Sequence, residues 1–423
     1  MPLGPWLATH TGGVGRALSN RNYRIYQTGN SFSLIGTWVQ RIAVGWLAWK
    51  LTESGTWLGI VVAAELAPSI LLGPVGGAVA DRVSRLTVLR VTQSLLCLVA
   101  VAMAVLTLSG GMTIWLLALL NLLAGVVVSF GQPARLSLVR SLVKPSDLPA
   151  AVATNSILWN LARFIGPAVA GVVIDQAGVG WAFALNAVSY VSFLFVLFQL
   201  DLPRLARAGR KSLGMVGDLK EGIAYVARHP GVGPMVLLLI ASCFTVRPYL
   251  ELLPGFADEY FKAGVDGLVM LTAAIGVGAI GAGLVVGGKT SFDGLTKLAV
   301  GGVLIQALAA VLFVATDSLW IGLIGAAISG ASMTTSGVAM QSLIQNSTDP
   351  NVLSRVLSLY GLSFRTGPAV GGLLMGAAAD FVGWQAPVLI GAALCLVAWA
   401  WIRLRMDQIA ESLERAAEEE TGQ

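Results

Sequence analysis

Two glycine–proline runs repeat each other at about half the length of this chain. Residues 166–171 read GPAVAG and residues 367–372 read GPAVGG, 201 positions apart in a chain of 423 residues. Both runs lie inside long apolar segments, and the match extends to Gly180-Trp181 and Gly383-Trp384. An apolar chain whose second half repeats its first is typical of a membrane transporter built from two related bundles.

The composition excludes an ordinary soluble domain. Hydrophobic residues make up 56% and charged residues only 12% of the chain, whereas about 25% of a soluble globular protein is charged. The net charge of +5 comes from residues scattered between apolar segments, so no face for nucleic acid is expected. The three cysteines stand far apart, which argues against a metal site or a disulfide framework. Without a Walker motif, ATP is not the direct energy source, and no cofactor is predicted.

The lengths of the apolar segments predict twelve membrane-spanning helices in two groups of six. A bilayer core of about 30 Å needs about 20 apolar residues per helix. On this measure the spans are predicted at 24–50, 56–80, 86–108, 112–140, 148–176, 179–200, 232–256, 266–288, 294–316, 318–344, 352–378 and 384–403. We therefore expect an all-α integral membrane protein in the lipid bilayer. Its predicted parts are an N-terminal six-helix bundle, a linker, a C-terminal six-helix bundle and a tail, over 1–200, 201–231, 232–405 and 406–423.

The distribution of positive charge predicts the orientation. Lysine and arginine cluster in the linker 201–231 and in every second loop, which places those segments and both termini in the cytoplasm. Within the linker, residues 216–227 have the pattern of a basic amphipathic helix at the membrane surface. The tail over 407–423 is rich in alanine and glutamate, and is expected to be a short solvated helix or a frayed end.

The loop between the second and third spans carries a charged motif, GAVADRVSR at residues 77–85. It resembles the G-x-x-x-D-R-x-G-R signature of the major facilitator superfamily, which occupies the same loop. Ser84 replaces the second glycine of that signature. The resemblance implies that the matching residues latch the cytoplasmic side in one state of a transport cycle, and these are Gly77, Asp81, Arg82 and Arg85.

The glycine–proline runs resemble the G-P-x-x-G-G element in span five of that superfamily's antiporters. A proline removes a backbone hydrogen bond, and flanking glycines allow close packing. We therefore predict helix bends at Gly166, Pro167 and Gly171, and again at Gly367, Pro368 and Gly372. Because span eleven repeats the element, it is either a mark of export or a general architectural bend.

Further segments resemble one branch of the superfamily, the enterobactin-exporter-like and macrolide-efflux-like proteins called transmembrane secretion effectors. These segments read QPAR at 132–135, LPAAVATNS at 148–156, NLARFIGP at 160–167 and RVLSLYG at 355–361. The resemblance extends from Asn22 to about Arg405. It implies the major facilitator fold and alternating access, but cargoes vary so widely within the branch that it does not identify one.

Ionisable residues inside the predicted spans are candidate functional groups, because a charge at bilayer depth costs at least about 2.5 kcal/mol. Arg41 and Glu65 fall at matching depths, about 14 Å from one membrane surface at about 1.5 Å per residue. We predict that Glu65 carries the coupling proton, because burial favours its neutral form and Arg41 its charged form. A static Arg41–Glu65 ion pair is the alternative.

Other residues are predicted to line the substrate cavity. Arg247 and Glu251 are four positions apart on span seven and should share a helix face, where they form a gate, a cavity wall or a local neutral pair. Arg163 and Arg365 precede the two glycine–proline runs and either face the cargo or bind freed carbonyls. Trp38 supplies an aromatic wall for a bulky, partly apolar cargo.

The combined prediction is a secondary active transporter of the bacterial cytoplasmic membrane, not an enzyme. We expect a monomer that exports a siderophore-like or amphipathic drug-like small molecule in exchange for protons. The alternatives are an importer or lipid-moving transporter of the same fold, and a membrane scaffold or sensor without transport.

Overall fold

A computed structural model describes residues 12–200, 215–287, 294–349 and 352–421, and these residues are almost entirely helical. The part before residue 201 has seven helices, which are α1 (Gly12–Ser19), α2 (Arg21–Thr52), α3 (Gly55–Arg82), α4 (Arg85–Leu108), α5 (Ile114–Leu142), α6 (Leu148–Ala177) and α7 (Val179–Gln199). A 3₁₀ turn over Pro145–Asp147 joins α5 to α6.

The later part has eight further helices, which are α8 (Met215–Arg228), α9 (Val232–Thr245), α10 (Gly264–Gly287), α11 (Leu295–Phe313), α12 (Leu319–Ser347), α13 (Leu353–Val382), α14 (Gln385–Arg403) and α15 (Met406–Thr421). The predicted linker range includes residues 201–214, which lie outside the described residues.

The lengths of these helices fit a multi-pass membrane protein. Among the described residues, nine helices are long and apolar enough to span a bilayer. A tenth span counts if α8 and α9, bent by 110°, are taken together. The predicted spans at 24–50 and 352–378 correspond to α2 and α13, which have 32 and 30 residues and carry more polar side chains. The all-α membrane fold is confirmed, and the helices are consistent with twelve spans.

The seventh predicted span, 232–256, is not one continuous helix. Helix α9 ends at Thr245, and a 3₁₀ turn follows over Arg247–Glu251. A single helical turn and a π-helical segment, Phe256–Tyr260, come next. Pro248, which lacks an N–H, packs against Gly371 of α13, and the α-helix stops before it. The prediction that Arg247 and Glu251 share an α-helical face was therefore wrong.

The chain divides into two compact units. Unit 1 comprises Met1–Leu51 and Ala64–Arg210, and unit 2 comprises Thr52–Ala63 and Lys211–Gln423. Helix α3 therefore begins in unit 2 and ends in unit 1.

Glycines let the two glycine–proline helices approach their neighbours in the same way in each unit. In unit 1, a Cβ on Gly166 of α6 would overlap Cβ of Trp38 on α2. In unit 2, a Cβ on Gly367 of α13 would lie 2.6 Å from the Cβ and carbonyl oxygen of Cys243 on α9. Helix α6 continues through Pro167, and α13 continues through Pro368.

The beginning of α3 packs against α13 inside unit 2. A Cβ on Gly59 would lie 2.5 Å from Cα of Leu373. A Cβ on Gly55 would lie 2.6 Å from the carbonyl oxygen of Gly376. One turn beyond Gly376, the Asp380 carboxylate accepts four hydrogen bonds of 2.6–3.0 Å from Ser54 Oγ, the Gly55 and Thr56 N–H groups and Thr56 Oγ1. This arrangement caps the N-terminal end of α3 with an anion, where the helix dipole favours negative charge.

The first part of the C-terminal tail, up to Glu414, is packed, which differs from the expectation of a solvated or frayed segment. Ile409 and Leu413 on α15 are buried. Glu414 accepts hydrogen bonds from the Gly294 and Thr296 N–H groups at the start of α11. Ile409 and Leu413 are therefore buried within unit 2, and Glu414 caps the neighbouring helix α11.

Candidate functional site

A cavity of about 160 Å³ lies within unit 1. Helices α2 to α7 all contribute to its wall. The ionisable acid and bases that line it are Glu65, Arg41 and Arg135, together with the amides of Gln40, Gln93, Asn121 and Gln132. Trp38, Trp159 and Tyr190 supply aromatic surface. A cavity with apolar walls and a few convergent polar groups is typical of a small-molecule site.

Glu65 lies at this cavity because α3 and α5 approach each other closely at that point. A Cβ on Gly125 of α5 would overlap the backbone carbonyl of Glu65. The half-buried Glu65 carboxylate forms no hydrogen bond or ion pair with any residue in the described ranges. Glu65 and Arg41 thus share one cavity without pairing directly.

Trp38 lies between two arginines. The guanidinium of Arg41 is 5.5 Å from the Trp38 ring centroid, and that of Arg163 is 5.7 Å from it. The Trp38 and Trp159 rings meet edge to face, with centroids 6.0 Å apart. Arg41, Arg163 and Trp38 were predicted separately from the sequence, and the structure brings all three together.

Arg135 on α5 is a cavity residue that the sequence analysis did not select. Its Nη1 lies 3.3 Å from Asn30 Oδ1, and its Nη2 lies 3.4 Å from Gln93 Oε1. It escaped notice because it is close to the end of the predicted span 112–140. The spacing along the sequence could have identified it, because Asn121, Gln132 and Arg135 lie on one face of a helix and so form a polar stripe on α5.

Arg247 occupies the core of unit 2. Only 4% of its surface is exposed, and its guanidinium lies 4.6 Å from the Phe364 ring centroid. Its Nε donates a hydrogen bond of 3.2 Å to Ser242 Oγ, which itself donates to Gln306 Oε1. Its Nη1 and Nη2 are buried without a hydrogen-bond partner among the described residues.

Two further predicted cavity residues, Glu251 and Arg365, belong to unit 2. Glu251 ends the 3₁₀ turn that follows α9. Its Cβ is 3.9 Å from the position that a Cβ on Gly372 would take. Arg365 is half-buried on α13, two residues before Gly367. Among the predicted bend residues, Gly171 is buried on α6.

The predicted latch lies at the junction of α3 and α4. Gly77 has open space around the position of a Cβ, and Arg82 is exposed. Arg85 donates a hydrogen bond of 2.8 Å to Ser141 Oγ on α5. Ser84, which replaces the usual glycine, is the N-cap of α4 and accepts a hydrogen bond from the Thr87 N–H. The side chain of Asp81 lies outside the described residues.

No group of three or more metal-ligating side chains occurs in the described ranges. What the cavity in unit 1 offers chemically is one carboxylate, two guanidinium groups, several amides and aromatic surface. Such groups can bind a polar molecule that carries an aromatic ring.

Comparison with known proteins identifies relatives of this chain. The sequence profile of the transmembrane secretion effector family matches residues 16–420. The staphyloferrin A transporter of Staphylococcus aureus is 29% identical over 255 residues, which are 59% of this chain and 64% of that protein. The chain thus spans slightly less than two thirds of that relative. The enterobactin exporter EntS of Shigella boydii is 26% identical over 334 residues, 77% of this chain and 78% of that protein.

Solved structures share the fold at low sequence identity. The nucleoside transporter NupG matches with a TM-score of 0.66 and 13% identity, over 90% of this chain and 98% of that one. A D-xylose–proton symporter matches with a TM-score of 0.68 and 14% identity, over 90% and 97%. These likenesses show a transporter fold and do not indicate a shared substrate.

Proposed function

Because this chain belongs to the transmembrane secretion effector family of major facilitator transporters, we propose that it is a proton-coupled exporter of a siderophore-like or amphipathic drug-like molecule. It is a multi-pass membrane transporter and not an enzyme. In the proposed cycle, a monomer in the bacterial cytoplasmic membrane, with both termini in the cytoplasm, releases cargo outward as protons enter.

The observation that supports this proposal most directly is the setting of Glu65. Its carboxylate lines a cavity with two guanidinium groups and two tryptophans, and it forms no bond with a described residue. A ligand that donates hydrogen bonds to this carboxylate favours its charged form and displaces its proton. Proton and cargo would then compete for one cavity.

Export is the favoured direction because the relative matched over the greater part of its length is described as an enterobactin exporter. The motif containing Gly77, Arg82 and Arg85 supports a cycle with two alternating states, through the resemblance described above. A scaffold or sensor would not need such a device.

The test is proton release from purified, weakly buffered protein in detergent on addition of enterobactin or staphyloferrin A. We expect release from the wild-type protein and none from Glu65→Gln. Asp175→Asn is the matched control, because Asp175 lies at the end of α6, away from the cavity, and accepts a hydrogen bond from Gln176. Equal release from wild type and Glu65→Gln would contradict coupling at Glu65.

Direction is measured separately in proteoliposomes with a proton gradient of either sign. Exchange of cargo against protons supports export, whereas movement of both in the same direction would establish the importer alternative. Binding without release or transport would favour a sensor.

A further inference from the structure

Arg135 is a cation in a membrane-spanning bundle that has only neutral partners among the described residues. Its guanidinium bonds to the amide oxygens of Asn30 and Gln93 at 3.3 and 3.4 Å and lies 5.5 Å from the Phe193 ring centroid. Guanidinium–carboxylate bonds are typically shorter, about 2.7–2.9 Å. None of these partners removes the positive charge.

The two amides hold Arg135 in place because their own N–H₂ groups are already engaged. Asn30 Nδ2 donates to Gln27 Oε1 at 3.2 Å, and Gln93 Nε2 donates to Ser33 Oγ at 3.4 Å. Asn30 and Gln93 are 0% and 1% exposed. Their oxygens are therefore directed to the guanidinium by a buried network, which fixes the arginine before any ligand enters.

The guanidinium has bonding capacity left for a ligand. Arginine carries five N–H donors, and the described residues of the protein accept from two nitrogen atoms of Arg135. Arg135 lines the cavity in unit 1, where the arginines Arg41 and Arg135 face the single carboxylate Glu65. Arg135 can therefore present its remaining N–H groups to a molecule in this cavity.

We propose that Arg135 is the anion-binding residue of this cavity and that the cargo is an aromatic organic anion. Its carboxylate or comparable oxyanion binds the free N–H groups of Arg135, while its ring contacts the wall formed by Trp38 and Trp159. The entering anion replaces the solvation that the guanidinium loses in the bundle. This inference rests on the proposed transport function for the role of the ligand, but the binding itself needs no gradient.

Two probes of the same shape and different charge test the proposal. Binding of 1-naphthoate and of the neutral 1-naphthamide to the full-length protein in detergent is measured by calorimetry. We expect wild type to prefer the naphthoate, and Arg135→Gln to weaken naphthoate binding by about ten- to a hundredfold, the range for a hydrogen bond to a charged group. Naphthamide binding should stay unchanged, which also shows that the variant is folded. Arg135→Lys should retain part of the preference.

Arg90→Gln is the control, because Arg90 bonds the Leu197 carbonyl and does not line the cavity. This change should leave both affinities as in wild type. The proposed anion subsite would be contradicted if wild type did not prefer naphthoate over naphthamide, or if Arg135→Gln kept that preference unchanged. If Glu65-dependent proton release persisted in either case, the proposed transport function would still hold.

Discussion

His229 shows how one neutral side chain starts a helix in this protein. Its Nδ1 accepts hydrogen bonds of 3.1 Å from the Gly231 and Val232 N–H groups, at the beginning of α9. A ring nitrogen can accept only when it carries no proton. Burial lowers the pKa of His229 from its ordinary 6.5, and a backbone hydrogen bond at Ser347 opposes that shift less strongly.

We predict that thermal stability falls as the medium is acidified below the ordinary pKa of histidine. Because the pKa of His229 is lower in the folded state, its contribution is fully present above 6.5 and is lost as the pH falls through the folded value. The midpoint of thermal unfolding should therefore decrease between about pH 7.5 and about pH 5.5. His229→Gln should flatten this dependence, while His10→Gln, the change at the other histidine of the chain, should leave it as in wild type.

Sequence reasoning found the site residues that stand in apolar surroundings and missed those near the end of a span. Arg41, Glu65 and Trp38 were identified because each interrupts or lines an apolar segment. Arg135 looked like one more positive residue close to a loop. What distinguishes it is contact with Asn30 and Gln93 on two other helices, and such contacts between distant positions are not visible in one sequence.

At the scale of elements, the close packing of the two glycine–proline helices, α6 and α13, depends on glycines that have no side chain. Gly166 admits Trp38 of α2, and Gly367 admits Cys243 of α9. The neighbouring atoms belong to side-chain stems and backbone, which cannot rotate away. Inserting a methyl group into such a contact typically costs about 1–3 kcal/mol.

We predict that Gly166→Ala and Gly367→Ala each lower the thermal stability of the detergent-solubilised protein. The measurement is the loss of the monodisperse peak in size-exclusion chromatography after heating. Gly361→Ala on α13 is the control, because no atom lies within 4 Å of the added Cβ. It should be neutral or slightly stabilising, since alanine favours a helix over glycine by about 1 kcal/mol. Equal behaviour of all three variants would show that the helices adjust freely.

Most helices were predictable from hydropathy, but the break after α9 was not. Apolar residues continue through Leu252 and Leu253. The length of the apolar segment therefore predicts a single membrane-spanning helix. Proline alone does not decide the matter, because membrane helices often tolerate it when neighbours satisfy the freed backbone groups. Here Pro248 packs against Gly371 of α13, and that tertiary contact accompanies a 3₁₀ turn.

At the scale of the whole molecule, α3 belongs to both compact units. Its residues up to Ala63 belong to unit 2, and those from Ala64 onward belong to unit 1. Pro68 lies in α3 and lacks the N–H that would bond to the Ala64 carbonyl, so the helix lacks a backbone hydrogen bond at this boundary. If the units rock during transport, either α3 bends here or its beginning leaves α13.

Cross-linking the beginning of α3 to α13 decides between these two motions. Ser54→Cys and Asp380→Cys are combined in a protein whose three native cysteines are replaced by alanine, and a short bis-methanethiosulfonate reagent joins the two thiols through reducible disulfide bonds. Because Ser54 Oγ lies 2.7 Å from Asp380 Oδ2, the two thiols are within reach of such a reagent. We expect the linked protein to lose transport and to recover it on reduction, while each single-cysteine variant is unaffected by the reagent. Full transport by the linked protein would favour bending of α3.

The Asp380 cap has a consequence for how the membrane's acid gradient is used. Burial acts to raise the pKa of Asp380, but the hydrogen bonds from Thr56, Ser54 and the Gly55 N–H outweigh it and lower the pKa below 3.8. In the proposed orientation this carboxylate faces the acidified side of the membrane, where it remains ionised. The cap at that surface therefore keeps its charge on the acidic side, and in the proposed mechanism the coupling proton is carried by Glu65 instead. Acidification of the medium therefore does not by itself release the start of α3 from Asp380.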